Sequence, residues 1–315
     1  MSCLLRLHIT GVGDAFTERY HNASFCIEEP QSGLRLQVDC PPAFPRVLAD
    51  YRRTRAQQGL ATAGVDLGID TIDHLLLTHL HGDHCGGTEA YLYMRRFLLG
   101  RKPTLLGAPA VLDALWPSRL AGGMERLLLS VPTWDAARLA QRGTFGPVGS
   151  QDVGRGSLAP AADGSAEPDE PVRKEEEALL ADPGGPVARL GLLDYCDRTD
   201  LHRGFTTIGP LRIERRFTRH HIPTTAIRVS LAGRSRPLLG YSADTAFDPD
   251  LIDWLAEADC VIHETNYGTH TPLSSLLLLP SEIRSRMRLI HYPDALDPSA
   301  CQITCLREGD VLELF

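Results

Sequence analysis

The sequence predicts an α/β fold in which β-sheets and helices pack in layers. Short apolar runs typical of strands alternate with helix-compatible segments, which favours a layered arrangement. Two such sets lie on either side of a Gly- and Pro-rich segment at about 143–186, which suits a pseudo-symmetric sandwich of two half-sheets. With 315 residues the chain can bury a sizeable core. We expect a single domain, residues 1–315, with 143–186 as an insertion.

The first half of the chain contains both extended and helical patterns. Residues 2–9 alternate between apolar and polar side chains, as a half-buried strand does. Residues 25–28 and 34–39 flank a Gly-containing loop, which predicts a hairpin. The remaining predicted elements are a helix over 43–58, a buried strand over 75–77, a helix over 88–99, a strand over 104–107 and a helix over 109–116.

The second half of the chain is dominated by strand-like runs. They are predicted over residues 206–208, 211–215, 226–231, 237–242, 260–263 and 288–291. Asp248 and Pro249 predict the start of a helix, because aspartate caps helix N-termini and proline fits the first helical position.

The 143–186 segment differs in composition from the rest of the chain. It is rich in Gly, Pro, Ala and Ser, and acidic side chains outnumber basic ones between residues 163 and 182. This composition predicts a loop or a disordered stretch rather than core. A solvating role is the simpler interpretation, and a lid over a binding site is the alternative.

Charge and cysteine content argue against several functions. The net charge of -8 disfavours nucleic-acid binding, which needs clustered Lys and Arg. The 8 cysteines form no Cys-x-x-Cys motif, which argues against a zinc knuckle and favours free thiols in a reducing cytoplasm. Neither a signal peptide nor a membrane-spanning apolar stretch is evident. We therefore expect a cytoplasmic protein with no membrane partner.

A cluster of metal-ligand side chains follows the apolar run at 75–77. His79, His81, Asp83 and His84 stand close together where this run gives way to a Gly-containing turn. In open α/β sheets, ligands gather at the carboxyl ends of strands. Neutral imidazole and carboxylate suit zinc and other divalent first-row metals. A polar loop with surface histidines is the alternative, and it weakens if matching ligands occur elsewhere.

Matching candidates occur at three later places, each ending or following an apolar run. They are His220 or His221, Asp244, and His291. A carboxylate at 244 can bridge two cations, which two-metal sites hold about 3.5–4 Å apart. Taken alone, an aspartate there would more often cap a turn, and a histidine at a strand end is often a core residue.

The first cluster resembles the first metal-binding motif of the metallo-β-lactamase-fold hydrolases, and Gly86 and Gly87 continue it as that superfamily usually does. The resemblance implies a four-layer αββα sandwich of two mixed β-sheets flanked by helices. It is specific for the superfamily and says little about the substrate.

Later motifs narrow the resemblance to the ribonuclease Z group of phosphodiesterases. Residues 260–265, with His270 and Thr271 after them, look like the His-Glu-Ala-Thr and His-Ser-Thr segments of that group. Carried over, His270 becomes the phosphate contact and proton donor, with Glu264 orienting it. The same comparison favours His220 over His221 as the metal ligand, and Asp39 matches an early aspartate of the group.

The resemblance implies a dinuclear zinc site, although manganese or iron would also suit these ligands. His79, His81 and His220 would hold one ion, Asp83, His84 and His291 the other, and Asp244 would bridge them. Asp83 could also act as general base towards a metal-activated water. The implied reaction is hydrolysis of a phosphodiester, and homodimers are common in the group.

One departure bears on the substrate. Ribonuclease Z proper carries a basic tRNA-gripping arm between its third and fourth metal motifs, and residues 221–243 are too few for one. We therefore expect a small phosphodiester such as a cyclic nucleotide. The alternatives are a tRNA 3′-processing endonuclease, a hydrolase of a lactone, thioester or lactam, and a non-catalytic binding protein on the same fold. The Glu264–His270 pair argues against a carbonyl substrate, which does not need it.

Overall fold

The structure is a computed structural model that describes residues 3–59, 67–128 and 187–315. The chain divides into two compact units, of which the larger comprises residues 1–123 and 191–315 and the smaller residues 124–190. The smaller unit contains one described pair of strands, in which Arg126–Leu128 (β6) pairs antiparallel with Val187–Arg189 (β7). The 143–186 segment lies outside the described residues, and the single-domain organisation stays a prediction.

The larger unit is built on two mixed β-sheets. The first is 7-stranded and runs in space from the C-terminal strand to an edge strand at 197–200. Its strands, in spatial order, are Val311–Leu314 (β15), Leu5–Gly11 (β1), Ser24–Glu29 (β2), Leu34–Val38 (β3), His74–Leu76 (β4), Thr104–Gly107 (β5) and Asp197–Asp200 (β8). The second is 6-stranded, and its strands in spatial order are Met287–Ile290 (β14), Cys260–Glu264 (β13), Leu239–Tyr241 (β12), Thr225–Leu231 (β11), Leu211–Phe217 (β10) and Phe205–Ile208 (β9).

Short helices flank these sheets. They are Phe44–Gln57 (α1), Gly82–Cys85 (α2), Thr88–Tyr93 (α3), Pro109–Leu115 (α4), Ala121–Met124 (α5), Leu192–Tyr195 (α6), Pro249–Leu255 (α7), Leu273–Leu277 (α8) and Ser281–Arg286 (α9), with a 3₁₀ turn at Ile69–Thr71. The predicted helix over 88–99 is α-helical to Tyr93 and continues as a π-helical segment at Met94–Leu98. A second π-helical segment, Trp116–Leu120, follows α4.

The local sequence explains where the longest helices begin. Proline occupies the first turn of α1, where its missing N–H costs nothing, and α1 buries Phe44, Val47 and Leu48 on one face. At α7 the Asp248 side chain accepts hydrogen bonds from the first-turn N–H groups of residues 250 and 251, as predicted for a capping aspartate.

The hydrophobic core lies between the two sheets. Both contribute fully buried apolar side chains, and Phe25 of the first sheet packs edge-on against Tyr241 of the second with ring centroids 4.9 Å apart. This face-to-face packing with helices outside is the predicted αββα sandwich, and the fold class is confirmed. The described residues contain no helix that is long and apolar enough to cross a membrane.

The sheet topology brings several strand ends to one edge. In the second sheet β12, β13 and β14 run parallel, so their carboxyl ends lie side by side. Strand β11 runs antiparallel to β12, and its preceding loop therefore meets the same edge. In the first sheet β3, β4 and β5 are parallel, which places the loops after β3 and β4 together.

Candidate metal centre

The loop after β4 carries the densest group of candidate side chains. His79 and His81 precede α2, and Asp83 and His84 lie within this single helical turn. The loop is tied to the one after β3, because the N–H of Cys40 donates to the carbonyl of His84 at 2.7 Å. Gly87 is required there, since a Cβ atom would lie 2.2 Å from the carbonyl oxygen of Pro41.

The second sheet supplies the other candidates from its strand ends. His220 lies in the loop before β11, Asp244 follows β12, and His291 follows β14. His291 has a φ of 53° and Ala243, beside Asp244, a φ of 48°. Left-handed backbone at non-glycine residues costs energy and is concentrated at functional sites, where surrounding contacts hold it in place.

Two groups of ligand atoms converge across the two sheets. His79, His81, His220 and Asp244 form the first, and Asp83, His84 and His291 the second. In the first group Nδ1 of His81 lies 3.2 Å from Nε2 of His79 and 3.3 Å from Nε2 of His220. This arrangement aims all three imidazole nitrogens at one point.

Asp244 stands between the two groups. Its Oδ2 lies 3.5 Å from Nε2 of His79, and its Oδ1 lies 3.3 Å from Nε2 of His84. In the second group Oδ2 of Asp83 lies 3.2 Å from Nε2 of His84 and 3.3 Å from Nε2 of His291. Oδ1 of this buried carboxylate thus faces the second group, while Oδ2 faces the first and also lies 3.8 Å from Nε2 of His291. Asp244 therefore borders both groups, as a bridging ligand must.

These spacings fit a divalent cation. Ligands about 2.0–2.1 Å from a tetrahedral ion are separated from one another by roughly 3.3 Å. Two of the converging atoms, Nε2 of His84 and Oδ1 of Asp244, are buried and have no hydrogen-bond partner among the described residues. Such orphaned polar atoms are costly unless something satisfies them. The cluster therefore supports binding of divalent metal, by two groups that share Asp244.

A layer of hydrogen bonds orients the ligands from behind. Nδ1 of His84 donates to Oδ2 of Asp39 at 2.8 Å, which leaves the lone pair of Nε2 for a metal. Asp39 also accepts from the backbone N–H and the hydroxyl of Thr78, whose Oγ1 lies 2.9 Å from Nδ1 of His79. Both histidines are thus held in the tautomer that ligates through Nε2.

We expect Asp39→Asn to lower metal affinity by about 10- to 100-fold, the usual effect of losing a partner behind a metal ligand. Asparagine tolerates the left-handed φ of 59° found at Asp39, but its amide would place N–H groups against the donors of Thr78 and His84. Competition with a chromogenic chelator measures the affinity. An unchanged dissociation constant in a folded variant would contradict this role for Asp39.

The carboxylates at the site favour positive charge, which either a bound cation or protons on the histidines can supply. Burial acts to lower the pKa of His291, but Asp244 and Asp83 outweigh it and raise that pKa to about 9. Burial lowers the pKa of His220 to about 4. Burial would raise the pKa of Asp83, but His84 and His291 hold it far below its usual range. Because a bound cation displaces protons from these histidines, metal affinity is expected to fall as pH falls.

A further acid–base pair lies beside the two ligand groups. Nδ1 of His270 is 2.9 Å from Oε1 of the buried Glu264, and that oxygen also accepts the backbone N–H of Thr245 at 2.7 Å. The His270 ring lies 5.3 Å from that of His291 and 5.6 Å from that of His220, centroid to centroid. A half-buried imidazole held this way can contact a molecule bound at the two ligand groups and move a proton to it.

His221 lies outside the cage that His79, His81, His220, Asp83, His84, His291 and Asp244 form. It is exposed, and its Nε2 lies 3.0 Å from Nε2 of His81, on the side of that ring away from His79. The structure thus brings His220, rather than His221, to the ligand groups. The ligand roles of all these residues stay predictions.

Sequence reasoning missed Thr78 and gave Asp39 no structural role. Both stand next to predicted strand ends, and Thr78 directly precedes the first ligand histidine. The position of Thr78 at a strand end beside a ligand histidine could have indicated that it contacts the site. The hydrogen bonds among Asp39, Thr78 and His84, by contrast, depend on the parallel pairing of β3 with β4, which sequence did not predict.

Solved structures confirm the fold. The chain is similar to the metallo-β-lactamase fold protein YhfI from Bacillus subtilis, with a TM-score of 0.60 and 14% identity over 98% of this chain and 99% of that one. Unliganded yeast PDE1 matches with a TM-score of 0.57 and 11% identity over 100% of both chains. Human tRNase Z, short form, matches with a TM-score of 0.55 and 14% identity over 98% of both chains. The chain is a metal-dependent hydrolase of the metallo-β-lactamase fold.

The family follows from sequence. A model of the Anti-Pycsar protein Apyc1 family matches residues 5–135 and 185–307, and the chain belongs to that family. It is 29% identical to an Anti-Pycsar protein Apyc1 of Paenibacillus sp. (strain J14) over 93% of this chain and 91% of the relative. It is 27% identical to one of Bacillus phage 010DV004, over 93% and 91% respectively.

Proposed function

We propose that this protein is a two-metal phosphodiesterase that hydrolyses a small cyclic nucleotide. The observation that carries the proposal is the Glu264–His270 pair, with Nδ1 and Oε1 2.9 Å apart, beside a cage of converging histidines and aspartates. A cage alone would serve many hydrolytic reactions. A positioned imidazole next to it supplies the proton that a departing alkoxide needs.

The cage residues would bind two cations in two groups. His79, His81 and His220 would bind one ion and Asp83, His84 and His291 the other, with Asp244 shared. Zinc suits these ligands, and manganese or iron would also fit histidine and carboxylate. Two such cations, when bound, lower the pKa of a water molecule and polarise a phosphoryl oxygen.

Two side chains of the protein would transfer protons, one as general base and one as general acid. Asp83 belongs to the second ligand group, where the carboxylate oxygen that does not hold the ion can accept a proton from the attacking water. His270, with its Nδ1 proton directed at Glu264, presents Nε2 to the scissile ester and donates a proton to the leaving oxygen. Glu264 is buried and held by the Thr245 N–H, so it fixes the His270 ring and favours its charged form.

Three features support a cyclic nucleotide over tRNA. The family and the relatives carry the name Anti-Pycsar, and Anti-Pycsar proteins degrade cyclic nucleotides. Most of residues 221–243 form β11, β12 and the short connection between them, so too few residues remain for a tRNA-gripping arm. The net charge of -8 would also repel a polyanion.

Metal removal and a substrate panel test the proposal. The purified protein is expected to hydrolyse one or more 3′,5′-cyclic nucleotides, to lose that activity on dialysis against a chelator, and to regain it with added zinc or manganese. A precursor tRNA and a lactone serve as comparison substrates. Metal content of the active protein is measured in parallel. Activity that survives complete metal removal, or cleavage of the tRNA or the lactone in preference, would contradict the proposal.

A further inference from the structure

A cavity of about 410 Å³ opens directly beside the cage. Its walls come from the loop after β4, from α4 and the π-helical segment that follows it, and from the loop before β11. Two of these loops also carry His79, His81 and His220. The cavity and the cage are therefore built by the same backbone segments.

His81 is part of both the metal-ligand cage and the wall of the cavity. Its Nδ1 faces His79 and His220 inside the cage, while the ring also lines the cavity. By contrast, the larger cavity of about 510 Å³ near the His270 loop is lined by none of the cage residues, nor by His270 or Glu264. A group attached to a phosphodiester held at the cage would reach the first cavity across the His81 ring.

The walls of this cavity suit a flat, partly apolar ring. Ala110 and Ala114 stand four residues apart on α4 and so share one face, where their small side chains leave space. Ile222 and Pro223, from the loop before β11, add further apolar lining. Pockets for small molecules combine such apolar walls with a few fixed polar groups that set orientation.

Arg119 supplies the fixed polar group. Its Nη2 donates to the carbonyl of Leu80, which anchors the guanidinium beside the cavity. This bond uses one of the five N–H donors of arginine, and the remaining donors can pair with acceptors such as the ring nitrogens and carbonyl oxygens of a base. Apolar walls together with one guanidinium group suit a heteroaromatic ring that carries hydrogen-bond acceptors on its edge.

We infer that this cavity is the subsite for the nucleobase of the substrate, with Ala110 and Ala114 setting its depth and Arg119 reading the base edge. The inference rests on the proposed function and adds to it which part of the protein distinguishes a nucleotide from any other phosphodiester. Base contacts here place the ribose ring over His81 and orient the phosphodiester towards His270.

Binding measurements test the subsite without relying on turnover. On the metal-loaded protein, isothermal titration compares adenosine and cytidine 5′-monophosphates with ribose 5-phosphate, which lacks a base. At least one nucleotide is expected to bind about tenfold or more tightly than ribose 5-phosphate. Ala114→Leu, which places a larger side chain in the cavity, and Arg119→Met, which removes the donors, are expected to abolish that difference. Ala90→Leu, on the exposed face of α3, is the matched control.

Turnover separates this inference from the proposed function. The substrates are a 3′,5′-cyclic nucleotide and methyl riboside 3′,5′-cyclic phosphate, the same cyclic diester without a base. Ala114→Leu is expected to lower kcat/KM about tenfold for the nucleotide and to leave the base-free diester unchanged. If the nucleotides bind no better than ribose 5-phosphate, or if both diesters lose activity equally, the base subsite is overturned. If the wild-type protein hydrolyses neither diester, the proposed function fails, and the binding data still decide the subsite.

Discussion

His270→Ala is expected to lower turnover of a cyclic nucleotide by about 10²- to 10⁴-fold, the usual contribution of a positioned acid or base. The bound metal should remain, because His79, His81, His220, Asp83, His84, His291 and Asp244 stay in place. Steady-state kinetics and metal analysis of the same preparation give the two quantities. The effect should be much smaller for a bis-p-nitrophenyl phosphate ester, whose leaving group needs no proton.

This variant also separates two roles for His270. Its ligand atom lies within reach of those of Asp244 and His291, so the three could themselves hold a cation. Metal lost together with activity would show that His270 is a ligand and not the proton donor. Activity that persists would contradict both roles.

Glu264→Gln provides a finer test through pH. Burial acts to lower the pKa of His270, but the hydrogen bond and charge of Glu264 outweigh it and raise that pKa. A raised pKa keeps the imidazole protonated, and therefore able to donate, up to a higher pH. Removing the charge of Glu264 should shift the alkaline limb of the pH–kcat/KM profile to lower pH. A simple scaling of the profile with no shift would contradict this positioning role.

Asp244→Asn is expected to weaken metal binding more than Asp39→Asn does. Asp244 is buried between the two ligand groups and is the carboxylate shared by both, so its loss should weaken metal binding by more than about 100-fold, the upper range for partners behind a ligand. Activity should fall with it. Thermal unfolding measures the same loss, because a metal at 100 times its Kd stabilises the fold by about 2.7 kcal/mol.

The matched control is Asp253→Asn on the exposed face of α7, which should keep full metal content, full activity and the rise in Tm on metal addition. The decisive comparison is the metal-dependent rise in Tm, not the Tm of the metal-free proteins. Should Asp244→Asn still bind metal at both sites with near wild-type affinity, Asp244 would not be the shared ligand.

The fold class could be predicted because its signals are local. Alternating and continuous apolar runs marked most strands, and the capping pair Asp248–Pro249 marked the start of a helix. The strands at Val311–Leu314 and Asp197–Asp200 were missed. Both lie at an edge of their sheet and are partly exposed. Asp197–Asp200 contains no apolar side chain, and in Val311–Leu314 the short apolar run is interrupted by Glu313. Their pairing with β1 and β5 is set by partners distant in sequence.

What the sequence by itself determined is the set of chemical groups: the histidine and aspartate cluster after β4, the later candidates at strand ends, and the Glu264 and His270 segments. These follow from residue type and spacing, which are properties of a single stretch of chain. Only the tertiary structure decided which side chains face each other: His220 inward and His221 outward, Asp39 behind His84, and a cavity against His81. Those choices depend on strand register and on packing between two sheets, which no local pattern encodes.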